Sequence, residues 1–262
     1  IKNYDLYKIL YDNLCRDKYF KKITKNNHKL PIIDNYDLII NNDFYHDVTR
    51  KYFSKKIVKE YNSKAYTTII QHEKISNNIA TQIFTKKGPL AFLPISETET
   101  SIVYSINNFF DKENIKELIQ SYNFKYKINK INKINNFQLK SLNLRSYYHK
   151  NILAFGDLLH KVHPLAGQGF NMTIRDIKVL TILIKKKIEL GLPLDSLINK
   201  DFENSQKHKN FIFSNGIDLI YEFFNIERKT RSKILSKFIK FLTKNEQTNK
   251  FFKKIADKGI VF

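Results

Sequence analysis

The segment from residue 152 to residue 191 constrains the fold more than any other part of the chain. An apolar run, Ile152 to Phe155, is followed by Gly156-Asp157, by a loop rich in proline and glycine, and by a helix that starts near Gly169. Apolar residues then recur at helical spacing until Gly191, a natural helix stop. A strand that leads through such a loop onto a helix N-terminus offers unpaired N–H groups and a positive dipole end to an anion or a dinucleotide.

Individual residues of this segment suit a flat ligand. Gly167 and Gly169 carry no Cβ, so the backbone can approach a ligand closely there. Asp157 follows the strand at its carboxyl end, where open α/β sheets hold their ligands, and it can accept hydrogen bonds from ligand hydroxyls. His160 and His163 could suggest a metal pair, but no cysteine and no further acidic residue lies at the spacing of a zinc site. We expect no metal, and we expect both histidines to be structural hydrogen-bonding residues of the turn.

The segment closely resembles the second FAD-binding motif of the aromatic-ring flavoprotein monooxygenases, the group related to p-hydroxybenzoate hydroxylase. Within that group it is most similar to the ubiquinone-biosynthesis hydroxylases, whose pattern is Gly-Asp-Ala-Ala-His-x-x-His-Pro-Leu-Ala-Gly-Gln-Gly-x-Asn with an Asp five residues further on. Leu158 and Leu159 replace the two alanines of that pattern. The matching residues are Gly156, Asp157, His160, His163, Pro164, Leu165, Ala166, Gly167, Gln168, Gly169, Asn171 and Asp176.

Two shorter stretches extend the resemblance. Residues 88–94, Gly-Pro-Leu-Ala-Phe-Leu-Pro, resemble the strand of the family's sheet that roofs the substrate pocket. Residues 36–43 resemble its strand that ends in Ala-Asp-Gly, and Arg50 falls where the pattern after that strand has an Arg. Phe44 stands in place of the glycine, where a side chain incurs a steric penalty. Asp43 is therefore either an FAD contact or an ordinary turn residue.

The glycine set that opens proteins of this family is missing from the sequence. They begin with a strand, turn and helix carrying Gly-x-Gly-x-x-Gly, which seats the ADP pyrophosphate. None of the 7 glycines of this chain forms such a set. Residues 1–10 resemble a helix that lies well inside such enzymes. We therefore expect the chain to be the carboxyl-terminal two thirds of a longer hydroxylase, as a fragment or as the product of a decayed or split gene.

The resemblance implies a mixed α/β (α+β) fold. We expect a partial FAD-binding Rossmann-like domain, an inserted antiparallel substrate-domain sheet and a C-terminal helical region. The expected division is a remaining part of the FAD-binding domain at 1–60, a substrate-binding β-sheet domain at 61–140, the second FAD motif at 141–192 and C-terminal helices at 193–262.

Local patterns predict the individual elements. Strands rich in Thr, Ile, Phe, Tyr and Val are predicted at 36–41, 65–74, 80–86, 90–95 and 100–106. Helices are predicted at 4–14, 112–122, 195–224, 228–244 and 247–257, with Asp111 and Asp195 as N-caps of the second and third. The Lys/Ile/Asn run at 126–136 is predicted to be a variable surface connection, and residues 137–139 a short returning strand.

Composition is compatible with a folded protein of a reducing compartment. Hydrophobic residues make up 42% of the chain, and it has a single cysteine, Cys15. The net charge of +21 comes almost entirely from lysine, which we attribute to drift in an AT-biased genome, so no nucleic acid is expected as a partner. No apolar stretch approaches the length of a bilayer span. We expect a cytoplasmic protein, soluble or peripheral at the inner face of a membrane.

The membrane alternative depends on residues 228–257. This region combines lysines on one side with Ile, Leu and Phe on the other. It could lie on an anionic membrane surface. The preferred interpretation is a solvated lysine face over a packed apolar stripe. Both interpretations stay open at the level of sequence.

The resemblance implies a function. Such a protein is an FAD-dependent monooxygenase that takes electrons from NAD(P)H and oxygen from O2 and hydroxylates an aromatic ring of a polyprenylated quinone precursor through a flavin C4a-hydroperoxide. The flavin does this chemistry, so we name no catalytic side chain. Pro164, Leu165, Ala166, Gly167, Gln168 and Gly169 would lie beside the isoalloxazine, with Asp157 on the ribityl or pyrophosphate side and Asn171 at the ring edge.

Two other classes of function remain. The chain could be a flavin-free remnant or scaffold that partners other proteins of a quinone-biosynthesis complex, as the missing glycine motif and Phe44 would allow. It could also be a basic nucleic-acid-binding protein, although its lysines are scattered and no aromatic-plus-basic recognition motif is present.

Overall fold

The computed structural model describes residues 3–23, 35–107, 114–164, 167–230 and 250. The chain divides into two compact units. The first unit comprises Ile1–His28 and Lys64–Phe137, and the second comprises Lys29–Ser63 and Gln138–Phe262.

The described part of the chain contains five helices, ten strands and one 3-10 turn between β9 and β10. In chain order they are α1 (Asn3–Cys15), β1 (Ile39–Asn41), α2 (Asp47–Tyr52), β2 (Lys56–His72), β3 (Thr81–Phe84), β4 (Pro89–Pro94), β5 (Glu99–Asn107), α3 (Ile115–Ser121), β6 (Ile128–Ile131), β7 (Asn135–Leu144), β8 (Tyr148–His149), β9 (Ile152–Ala154), a 3-10 turn (Gly156–Leu158), β10 (His160–Lys161), α4 (Gln168–Glu189) and α5 (Ser196–Thr230).

An antiparallel sheet forms the first unit. β4 pairs with β3 on one side and with β5 on the other, while β2 lies next to β5 and also pairs with β6. Residues of β5 alternate between buried and half-buried along most of its length, as a strand with one face on a core requires. Leu90, Phe92 and Tyr104 are fully buried in that core. The predicted mixed α/β fold with an antiparallel sheet is confirmed, as are the four strands predicted between residues 65 and 106.

A short parallel pair organises the second unit. β9 lies between β1, to which it is parallel, and β8, to which it is antiparallel. All three residues of β9 are 0% exposed, because parallel strands are covered on both faces. α4 packs against α5, and Leu180, Ile198 and Phe202 join the same core. The strand predicted at 36–41 is confirmed for residues 39–41 only.

The run at 126–136 is not a surface connection, so this prediction was wrong. Residues Ile128–Ile131 form β6, which pairs with β2, and β7 begins at Asn135. Ile128, Ile131 and Ile134 pack against the core of the first unit. The lysines at 127, 130 and 133 are exposed. The run is a three-residue repeat in which isoleucine packs inward and lysine points outward. Its low complexity favoured the interpretation as a surface connection, so the strand was not predicted.

The predicted helices need two corrections. α5 continues to Thr230 instead of ending at Phe224, because residues 225–227 contain neither glycine nor proline to break it. α3 starts at Ile115, where the Asn114 side chain accepts a hydrogen bond from the Lys116 N–H. The expected cap Asp111 lies outside the described residues, and so do 231–249 and 251–262, where the last two helices were predicted.

The other helix predictions agree with the structure. α1 covers the predicted residues 4–14. Asp195 caps α5, since its Oδ1 accepts a hydrogen bond of 3.1 Å from the Leu197 N–H. α4 starts one residue before Gly169 and ends at Glu189, followed by Gly191 with φ of 63°. None of the described helices is both long and apolar enough to cross a bilayer.

One turn of the first unit requires glycine. Gly88 has φ of 151°, and a Cβ on it would lie 1.8 Å from the Ser105 carbonyl oxygen. We expect Gly88→Ala to lower the free energy of unfolding by about 2 kcal/mol or more. Gly216 in α5 is the matched control, because a Cβ there meets nothing within 4 Å. Gly216→Ala should stabilise the protein by up to about 1 kcal/mol. Urea unfolding measures both, and equal effects of the two substitutions would contradict the account of Gly88.

Candidate cofactor-binding site

The turn after β9 brings an acidic side chain to the surface. Gly156 has φ of 63°, a conformation that L side chains rarely adopt. The chain then makes one 3-10 turn, closed by a hydrogen bond of 2.9 Å from the Leu159 N–H to the Gly156 carbonyl. Leu158 and Leu159 are buried, and Asp157 is exposed. The turn therefore places the Asp157 carboxylate at the carboxyl end of a buried strand, open to a ligand.

The loop that follows delivers the chain onto α4. Pro164 is half-buried, and Gly167 is the N-cap of α4 in the left-handed conformation, with φ of 65° and ψ of 23°. No side chain of the described residues caps this end of the helix. Its first N–H groups can therefore bind an anionic or carbonyl oxygen of a ligand. Leu165 and Ala166 lie outside the described residues.

The first turn of α4 has room and hydrogen-bonding capacity for a flat ring. A Cβ on Gly169 would meet only Val162 Cγ2, at 3.7 Å. Gln168 Oε1 is buried and has no donor among the residues that the structure describes. Asn171 is exposed. The buried Gln168 acceptor, the N–H groups that no described side chain caps and the uncrowded glycine fit the polar edge of a flavin ring, which carries both donors and acceptors.

The structure brings most of the predicted site residues together. The turn that contains Gly156 and Asp157 contacts α4, the helix that begins with Gln168, Gly169 and Asn171. All of them belong to the second unit.

Asp43 leaves the sheet at the same edge as Asp157, because β1 and β9 are parallel and in register from Ile39 and Ile152 onward. Its Oδ1 accepts a hydrogen bond of 2.8 Å from the Tyr45 N–H, and its carbonyl accepts one of 2.5 Å from the Thr49 hydroxyl. Phe44 packs against the core of the second unit. The polar groups of Asp43 and the ring of Phe44 thus have their contacts within the protein at this part of the edge. Arg50 is exposed and paired with Asp47 at 3.6 Å.

The two histidines of the loop are held by different contacts. His160 Nε2 lies 2.5 Å from Asp176 Oδ2, with both side chains fully buried, so its prediction as a structural hydrogen-bonding residue is confirmed. The His163 ring stacks on Tyr221 with ring centres 4.4 Å apart and meets the edge of Tyr61 at 4.9 Å. Among the described residues, no group of three His, Cys, Asp or Glu side chains could hold a metal ion.

A buried polar cluster beside His163 was not foreseen from the sequence. The Tyr61 hydroxyl donates a hydrogen bond to Asp218, and Ser63 Oγ lies 2.9 Å from the Tyr221 hydroxyl. Burial, followed by the bond to Asp218, raises the pKa of Tyr61. Burial also raises the pKa of Asp218, although the bond from Tyr61 and the Lys59 ammonium oppose this effect. Tyr61 and Asp218 are 157 positions apart, so no local pattern could have paired them.

Curated proteins with similar sequences include a monooxygenase and a hydroxylase that are named for ubiquinone biosynthesis or for a ubiquinol substrate. Residues 49–189 match the family described as FAD binding domain. The ubiquinone biosynthesis monooxygenase COQ6, mitochondrial, of Danio rerio is 24% identical over 229 residues, covering 70% of this chain and 47% of that protein. The 3-demethoxyubiquinol 3-hydroxylase of Escherichia coli is 26% identical over 179 residues, covering 63% and 45%. The chain spans about half the length of these curated relatives.

Solved structures share the fold at low sequence identity. PqsL, a probable FAD-dependent monooxygenase of Pseudomonas aeruginosa, superposes with a TM-score of 0.58 at 16% identity, covering 77% of this chain and 59% of that one. The p-nitrophenol 4-monooxygenase PnpA of Pseudomonas putida superposes with a TM-score of 0.59 at 9% identity, covering 84% and 55%.

The raised pKa of Asp218 predicts a pH-dependent stability. A carboxyl whose folded pKa exceeds its unfolded pKa stabilises the fold below the unfolded value, and this contribution is lost as the pH rises through the folded value. Asp218→Asn keeps an acceptor for Tyr61 and cannot ionise. The melting temperature of the variant relative to the wild type should therefore be higher at about pH 7.5 than at about pH 4. The matched control is Asp201→Asn, at an exposed position of α5. A difference for Asp218→Asn that is constant over this range would contradict the account.

Proposed function

Because the chain belongs to the FAD binding domain family, we propose that it binds FAD and serves as the flavin-holding part of a monooxygenase that hydroxylates an aromatic ring in ubiquinone biosynthesis. The observation that carries this proposal is the turn–loop–helix from Gly156 to Asn171. It combines a buried strand, two glycines with positive φ, an exposed carboxylate and a helix end that no side chain of the described residues caps. These features suit a dinucleotide with a flat ring.

Each part of the loop has a distinct role in this proposal. The described residues Pro164, Gly167, Gln168 and Gly169 line the isoalloxazine; Leu165 and Ala166, predicted to join them, lie outside the described residues. The N–H groups at the start of α4 bind its electron-rich carbonyl edge, and Asn171 contacts the ring edge. Asp157 accepts hydrogen bonds from hydroxyls on the ribityl or pyrophosphate side.

Bound FAD would supply the redox chemistry: two electrons from NAD(P)H let one oxygen atom of O2 enter the ring while the other leaves as water. The protein holds the ring, orients the substrate and excludes water. No side chain is assigned as acid or base. The names of the relatives support a quinone precursor as the substrate class, and a polyprenylated one is our proposal.

We also propose a peripheral association with a membrane, which suits a polyprenylated substrate. Ile212, Leu219 and Ile226 are each between 43% and 54% exposed and repeat every seven residues along α5. A chain of net charge +21 would be attracted to anionic lipid.

A second candidate function is a flavin-free scaffold. It is favoured by the packing of Phe44 and by the turn that engages Asp43, since that part of the sheet edge is filled by the protein itself. The two functions differ in whether the folded chain binds FAD.

Gly169 gives the sharpest test of cofactor binding. The fold tolerates a methyl group there, with the nearest atom at 3.7 Å, so Gly169→Ala should keep or slightly raise the melting temperature. If the backbone approaches the flavin at this position, the same methyl group should weaken FAD binding by about tenfold or more. Flavin fluorescence quenching measures the affinity. Gly216→Ala replaces a helical glycine with open space around it and should leave the FAD affinity unchanged. If Gly169→Ala also left the affinity unchanged, this loop would not be part of the FAD site.

Oxygen transfer is tested with isotopically labelled O2. With FAD, NAD(P)H and a polyprenylated phenol, we expect one labelled oxygen atom per product molecule, and less product from Gly169→Ala than from Gly216→Ala. FAD binding without product would limit the chain to holding the flavin. Absence of FAD binding by the folded wild-type chain would favour the scaffold.

A further inference from the structure

A buried polar network joins three elements of the second unit beneath the candidate FAD loop. His160 belongs to β10, Asp176 to α4 and Asn210 to α5. The His160 and Asp176 side chains are 0% exposed and meet at 2.5 Å. The Asn210 amide donates to both carboxylate oxygens of Asp176, at 3.1 and 3.4 Å. Asp176 therefore has hydrogen-bond partners on both of the other elements.

The position of the network along the chain points to the loop. Backbone pairing of β10 with β7 ends at Lys161, and α4 begins at Gln168. His160 stands directly before the loop, and Asp176 stands in the helix that the loop enters. Their contact therefore closes the segment that contains Pro164, Gly167 and Gly169 and limits the paths it can take.

The chemistry of the network indicates that it fixes the orientation of the joined elements and does not only stabilise the fold. Burying a carboxylate is costly, and a buried ion pair is often no more stable than apolar side chains of similar volume. Hydrogen bonds fix distance and direction, which apolar packing does not. His160 Nδ1 is buried without a hydrogen-bond partner among the described residues, so within them the one side-chain hydrogen bond of the ring is that to Asp176.

Further residues besides His160 surround Asp176. Tyr147 is 2% exposed and lies close to both Asn210 and Asp176. Burial raises the pKa of Tyr147, and the nearby Asp176 charge raises it further, so the phenol stays protonated. The Asn210 amide thus fixes the carboxylate from the side of α5, next to the uncharged phenol of Tyr147.

We infer that His160, Asp176 and Asn210 are positioning residues for FAD: they act through the loop and hold its backbone N–H groups in the geometry that binds the flavin. This inference rests on the proposed function of the loop. None of the three side chains needs to touch the cofactor, because the Asp176–His160 contact orients the loop at its start and the helix at its end.

Asp176→Asn is the test variant, since it keeps the size of the side chain and removes the charge that orients His160. The control is Leu180→Ala, one turn further along α4 in the apolar core, where the loss of a buried side chain lowers stability without altering the network. We expect Asp176→Asn to weaken FAD binding by about tenfold, and Leu180→Ala to leave it within about twofold despite a larger loss of melting temperature. Binding that follows melting temperature in both variants would overturn the inference.

A second variant and a second readout keep the test decisive. His160→Gln retains a donor toward Asp176, so it should recover most of the affinity that His160→Leu loses. Amide hydrogen exchange over residues 162–171, measured without FAD, should be faster in Asp176→Asn than in the wild type and unchanged in Leu180→Ala. If the wild type binds no FAD, the proposed function fails, and the exchange rates alone decide the positioning role: unchanged rates in Asp176→Asn would refute it.

Discussion

The parallel pairing of β9 with β1 is the constraint on which the candidate site depends. Ile39 is in register with Ile152, and Asn41 with Ala154. The Phe155 N–H continues the pairing by donating to the Asn41 carbonyl at 2.9 Å. Since both strands point the same way, both following loops leave at one edge, where open α/β sheets bind ligands. Asp157 occupies that edge as a ligand-accessible carboxylate, whereas Asp43 is engaged in a turn.

The buried core around β9 holds the turn at Gly156–Leu158 in a fixed position, which a ligand site requires. β9 is fully buried, and the leucines after Asp157 anchor the turn in the same core as α4 and α5. The loop can then carry unusual backbone conformations at Gly156 and Gly167 because its two ends are fixed. Polar groups that would otherwise be costly to bury are paired across elements, as in the contact of His160 with Asp176. Cofactor sites are commonly formed by loops that a rigid scaffold of strands and helices holds in position.

Sequence predicted the parts of this site that local chemistry determines. The positive φ of Gly156, Gly167 and Gly191 marks two turns and a helix end that glycine in the sequence already indicated. β6 was missed because its inward isoleucines are diluted by lysine and asparagine, so composition hid the strand. The Tyr61–Asp218 bond and the Asn210–Asp176 bond were also missed, since both join residues far apart in sequence. Such contacts follow from the packing of α5, which no local pattern reports.

The proposed role of the second unit depends on FAD binding at the segment from Gly156 to Asn171. Amide hydrogen exchange of the purified chain with and without FAD tests it most directly, because bound ligand slows the exchange of the amides it contacts or orders. We expect slower exchange in peptides covering residues 156–171 on addition of FAD, and no change in the sheet of the first unit. Protection confined to other segments, or none at saturating FAD, would contradict it.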